Sequence, residues 1–157
     1  MPTGRPRSRT ASCLALAGAF LRAVRTTPTT SDLVTLMEAV SRDMGFRHFA
    51  LIHHDDLRPS RHDRVNLKDY PAAISERLIG QHRYHRDSII RGCLFADSAF
   101  LWSDLHRIIE LDKQDRASFE FGARERLNEG ITVPYVRLGE RIGSCTFAGV
   151  AISGRRR

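Results

Sequence analysis

The 157 residues, 41% of them hydrophobic, are enough for one domain with a real core and too few for two. No apolar run approaches the ~18 residues that span a bilayer, and three scattered cysteines (Cys13, Cys93, Cys145) argue against a disulfide framework and fit a reduced, intracellular setting. The net charge of +7 lies in the ends: five arginines and no acid in the first 31 residues, and Arg155–Arg157 at the other end. The remaining 17 bases and 18 acids leave residues 32–154 at −1, which gives no basic face for counterion-release binding to DNA.

In chain order, residues 1–12, opening MPTGRPRSRT, read as a disordered basic tail. ASCLALAGAFL imitates the apolar part of a secretory signal, but no small-x-small cleavage site follows. It reads better as an amphipathic helix through Leu14, Leu16, Phe20, Leu21 and Val24 that covers the domain. Leu33, Leu36, Met37, Val40 and Met44 set one apolar stripe and predict a helix over 31–44, capped by Ser31 and closed by Gly45. FRHFALIHH (46–54) reads as a strand with apolar residues on both faces, hence a sheet covered on both sides. A polar turn over 55–63 leads to a short return strand at Val65 and Leu67. Asp69-Tyr70-Pro71 opens a helix with Pro71 at its first position and a stripe of Tyr70, Ile74 and Leu78. A short helix covers 86–95, Phe100–Trp102 form an apolar segment, and a helix over 112–128 carries Phe119, Ala123 and Leu127 and stops at Gly130. ITVPYVR (131–137) and RIGSCTFAGV (141–150) are strands, the first at an edge or bulged because Pro134 cannot donate. Residues 151–157 form a basic tail. The order is not βαβαβ, and no GxGxxG or P-loop occurs. It predicts an α+β fold over residues 13–150, with an antiparallel sheet between helical layers.

The last strand is the most informative. Gly143, Ser144, Thr146 and Ala148 are small where a filled core would place Val, Ile or Leu. Ser144, Thr146 and Ala148 share one face by the two-residue period. That face leaves a gap for a ligand or allows a close approach of a helix. Asp87 sits where the run from His82 to Ile90 turns from cationic to apolar. It either caps the helix or stands as a partly buried carboxylate awaiting a donor such as an amide N–H. Trp102 and Tyr70, taken singly, read as core. The cluster His53-His54-Asp55-Asp56 with His62-Asp63 matches no metal-site spacing, and no GxSxG elbow or catalytic-cysteine signature is present. No enzyme, metal or cofactor is expected.

Taken in order, GFRHFALIHHDD, DYPAAI, RYHRDSIIRGC, AFLWSD, FGARERLNEGITVP and GERIGSCTFA resemble the autoinducer-binding domain of LuxR-type quorum-sensing transcription regulators, over roughly residues 15–150. The resemblance implies an α-β-α sandwich around a five-stranded antiparallel sheet, in a cytoplasmic sensor that binds an N-acyl-homoserine lactone between sheet and helices. It implies a dimer, with itself or with a full-length regulator. It assigns Tyr70 and Thr146 to the acyl carbonyl, Asp87 to the ligand amide N–H and Trp102 to the lactone ring. Ile74, Leu78, Ile89 and Ser144 complete the ligand-binding set. Three departures stand out: Ile74 replaces a tryptophan that donates to the lactone carbonyl, Leu78 a tyrosine, and Ser88 a proline. The family's helix-turn-helix does not follow in this sequence, so direct DNA binding is not expected of it. A second reading is a ligand-independent interaction module for full-length regulators, which follows if Ile74 and Leu78 fill the cavity.

Overall fold

The computed structural model describes residues 9–54, 66–80, 86–140 and 142–150. The polar turn at 55–63, Val65, His82–His85 and the ends at 1–8 and 151–157 lie outside the described residues. The chain divides into two compact units at Val40/Ser41.

The first unit holds helix α1 (Arg9–Thr26) and most of α2 (Thr30–Asp43). Helix begins at Arg9, so residues 9–12 are helical where the composition predicted disorder. Leu16, Leu21 and Val24 of α1 are exposed. Thr29 caps α2, not Ser31: its hydroxyl accepts from the Asp32 N–H (3.1 Å) and donates to the Asp32 carboxylate (2.5 Å). The stripe of α2 centres on Met37, which is buried, while Met44 falls past the helix end and is exposed. Gly45 closes the turn at φ +84°, the left-handed region that glycine enters without a Cβ penalty.

The second unit is built on an antiparallel sheet of five strands: β1 (Phe46–His53), β2 (Asn66–Lys68), β3 (Phe100–Leu101), β4 (Gly130–Tyr135) and β5 (Gly143–Val150). Their spatial order is β2-β1-β5-β4-β3. Every ladder is antiparallel, so the α+β reading holds. Phe49 and Ala50, neighbours on β1 and therefore on opposite faces, are both buried, as are Phe147 and Ala148 on β5. Pro134 lies past the two residues that β3 pairs, at a locally open edge where its missing N–H costs no ladder bond.

Four helical segments follow the sheet's cavity face in sequence: α3 (Ala72–Ser75), which runs on as a π-turn over Glu76–Gly80, α4 (Ser88–Cys93), a 3₁₀ turn (Trp102–Arg107) and α5 (Lys113–Arg124). Pro71 takes the cap position of α3, one residue before the first helical one. Helix α5 ends at Arg124, with Arg126 at φ 64° in the turn beyond. It is this turn, and not Gly130, that stops it. Ala123 is exposed and Gly122 buried, so the stripe expected through Ala123 is displaced by one residue. Among the described residues no helix is long and apolar enough to cross a membrane.

Candidate functional site

The small-residue face of β5 becomes the floor of a cavity of about 300 Å³. Ser144 and Thr146 line it together with their partners across the ladder, Ile52 and Ala50. Such a volume falls at the lower end of ligand pockets and far exceeds the voids that close packing leaves. The walls come from the segment 70–78, the start of α4, Trp102 and the inner side of α5.

Each polar lining group is held by its own element. Asp69 fixes the entry to α3: its carboxylate accepts from the Phe49 N–H at 2.7 Å and its own N–H donates to the Phe49 carbonyl at 3.2 Å. This sets Tyr70 over the sheet, in the cavity lining beside Thr146. Burial, followed by the nearby Asp87 charge, raises the Tyr70 pKa, so the phenol stays protonated. Asp87 caps α4 by accepting from the Ile90 N–H at 3.0 Å through Oδ1. It also faces the cavity, so the capping role and the carboxylate open to a ligand, set apart in the sequence, coexist in one side chain. Burial pushes its pKa up, against the Ile90 and Ile89 N–H groups and Arg91, which pull it down.

Trp102 donates its indole N–H to the Thr132 hydroxyl at 3.0 Å, and Thr132 and Thr146 hydroxyls lie 2.8 Å apart across β4 and β5. All three residues are buried. With its N–H spent on Thr132, Trp102 offers the cavity a ring and not a donor. The ring lies over Gly130, where a Cβ would stand 2.6 Å from Cε2, and meets Phe119 edge-on at 6.5 Å. Gly130→Ala is therefore expected to push the indole toward the cavity and destabilise the domain by about 1–3 kcal/mol. Denaturant unfolding measures the loss, and the emission of this single tryptophan reports the displacement.

All eight sequence-singled residues (Tyr70, Ile74, Leu78, Asp87, Ile89, Trp102, Ser144 and Thr146) line this one cavity. The α5 wall was not foreseen. Gln114, Asp115, Ser118, Phe119 and Gly122 face inward with helical spacing, a mixed polar and apolar face that an apolar stripe search passes over. Asp115 is buried and pairs with Arg91 at 2.7 Å, while Arg77 lies 4.6 Å over Phe121 and reaches the Ser118 hydroxyl at 3.4 Å. Among the described residues no cluster of His, Cys, Asp or Glu could hold a metal ion, and Asp55, Asp56, His62 and Asp63 lie outside them.

With the cavity in view, the comparison with known proteins is decisive: the family model of the autoinducer binding domain matches residues 29–154. The chain belongs to the autoinducer-binding domain family. This is the sensing domain of LuxR-type regulators, a signal-binding and non-enzymatic family. The autoinducer-binding domain described here is similar in structure to Escherichia coli SdiA, with a TM-score of 0.67 and 14% identity over 89% of this chain and 57% of that one. It is also similar to SdiA in complex with octanoyl-rac-glycerol (TM-score 0.66, 14% identity, 94% and 57% of the two chains). A third is CepR2 from Burkholderia cenocepacia, an N-acylhomoserine lactone dependent LuxR family transcription factor (TM-score 0.68, 16% identity, 90% and 80%). At such identities the likeness shows the fold alone. The chain thus spans a little over half the length of SdiA. No curated protein matches the sequence.

Proposed function

We infer that this autoinducer-binding domain senses an N-acyl-homoserine lactone or a closely related amphipathic amide, held between β1/β5 and the helices from α3 to α5. The observation that carries the reading is the convergence of two hydroxyls, a carboxylate and an indole face on one otherwise apolar space. Asp87 accepts the ligand amide N–H through the oxygen that does not cap α4. Tyr70 and Thr146 meet the acyl carbonyl, and Trp102 packs against the lactone ring. Ile74, Leu78, Ile89 and Ser144 enclose the remainder. In SdiA the same fold takes an octanoyl group, which supports an acyl tail of similar length here. The sensor works in the cytoplasm, as a dimer with itself or with a full-length regulator.

Ile74 gives the lactone carbonyl no donor. A buried acceptor without a partner costs about 1–3 kcal/mol, a tenfold to hundredfold loss of affinity. Ile74→Trp is expected to recover that factor for lactones, read by calorimetric titration; unchanged affinity would place the carbonyl elsewhere. The ligand-independent reading needs Ile74 and Leu78 to fill the cavity, and both line a space that stays open.

Thermal denaturation against lactones of increasing acyl length tests the reading. A ligand at a hundredfold excess over its Kd adds about 2.7 kcal/mol, a rise of roughly 5–11 °C for a domain of this size. A well-folded protein that shifts with none of them would overturn it.

A further inference from the structure

The wall nearest the indole carries a cation. Ile74 packs with the cluster of Trp102 and Leu127, and Phe119 meets Trp102 edge-on at 6.5 Å. Ser118 and Arg77 line the same space, Ser118 next to Phe119 and one turn before Gly122, Arg77 three residues after Ile74. Arg77 reaches from the π-turn to α5. Its guanidinium carbon stands 4.6 Å over the Phe121 ring, and Nη2 donates to the Ser118 hydroxyl at 3.4 Å. A guanidinium stacked by its face keeps its N–H groups in its own plane, a fork that matches the two oxygens of a carboxylate. Arg77 is half-buried, so an anion beside it keeps part of its hydration and avoids the cost of full burial. Asp115, the lining acid on α5, is paired with Arg91 at 2.7 Å, which offsets its repulsion of such an anion.

Resting on the ligand-sensing reading above, we propose that Arg77, steadied by Phe121 and Ser118, is a specificity-determining residue that selects acyl amides ending in a carboxylate over the closed lactone. The class is that of N-acyl amino acids, with ring-opened acyl-homoserine as its nearest member. Ile74 leaves the carbonyl of a closed ring without a donor. Opening the ring turns a neutral ester into a carboxylate, with a charge and two accepting oxygens on a single-bonded stem that can swing from Ile74 to Arg77. The amide is untouched by that change, so the contacts to Asp87, Tyr70 and Thr146 are kept. Ser118, which accepts from Arg77, has a proton of its own to give the same anion. Bonds from a cation to an ionised oxygen are roughly twice as strong as neutral ones, which sets the direction of the preference.

Calorimetric titration of the full chain near neutral pH with octanoyl-homoserine lactone and with ring-opened octanoyl-homoserine tests this. The open form is expected to bind about five- to tenfold more tightly than the lactone. In Arg77→Gln the ratio is expected to fall to about one or below. Equal or tighter binding of the lactone to the wild type, a comparison that needs no variant, overturns the inference and leaves the ligand-sensing reading standing. A preference for the open form that survives in Arg77→Gln overturns it too. Failure of both to bind removes the ligand-sensing reading, and this inference with it.

Discussion

Trp102→Ala is expected to destabilise the domain by about 3–5 kcal/mol, the range for deleting a large buried aromatic side chain. For a chain of this length that is a fall in Tm of about 6–20 °C. The indole touches Gly130 on one side, Phe119 at its edge and Thr132 through its N–H, so three elements lose contact together. Trp102→Phe separates the contributions. It keeps most of the bulk and loses the N–H donor, worth about 1 kcal/mol. Guanidinium unfolding of both variants gives the two numbers. If the alanine variant lost less than about 1 kcal/mol, the wall of the cavity would not rest on this ring.

Asp87→Ala is expected to weaken lactone binding ten- to hundredfold, because a hydrogen bond to a charged acceptor contributes about 1.5–3 kcal/mol. The same change removes the α4 cap, costing about 1 kcal/mol of stability. Asp87→Asn divides the two roles: asparagine caps as well as aspartate and buries no charge, so stability is kept or gained while roughly tenfold in affinity is lost with the charge. A pH titration adds a signature. Burial raises the folded-state pKa above the ordinary 3.8, so the folded chain takes up this proton before the unfolded chain does. Stability relative to Asp87→Asn is therefore lowest at neutral pH and recovers as pH falls through the raised value. Ligand affinity runs the other way, since a protonated carboxyl no longer offers a charged acceptor. Parallel curves for wild type and Asp87→Asn would refute the burial of this charge.

The sheet was legible because its signals are local. Both-face hydrophobicity in 46–53, the two-residue period of 143–150 and the constraint at Pro134 each follow from strand geometry. The cavity floor was legible for the same reason: a row of small residues on one face has few structural uses. The remainder needed neighbours that sequence spacing does not reveal. The period of four through Tyr70, Ile74 and Leu78 suited an ordinary helix, whereas α3 gives way to a π-turn at Glu76. Both Ile74 and Leu78 still face the cavity. The Phe119–Ala123–Leu127 stripe failed because the helix ends before Leu127, which reaches the core from the following turn. The ion pair of Arg91 with Asp115 joins two helices and has no signature in either.

The hydroxyl row from Trp102 to Thr146 also has a fixed end. An indole nitrogen can only give a proton, so Thr132 receives at that end, and its own proton is free to go to the Thr146 hydroxyl 2.8 Å away. In that arrangement Thr146 has its own proton left for the open space. Each bond polarises the next, and the row so arranged ends in a proton giver open to the cavity. A chamber wired in that sense would greet a carbonyl with dipoles already turned the right way, and a group bringing another proton to the same spot would meet them head-on.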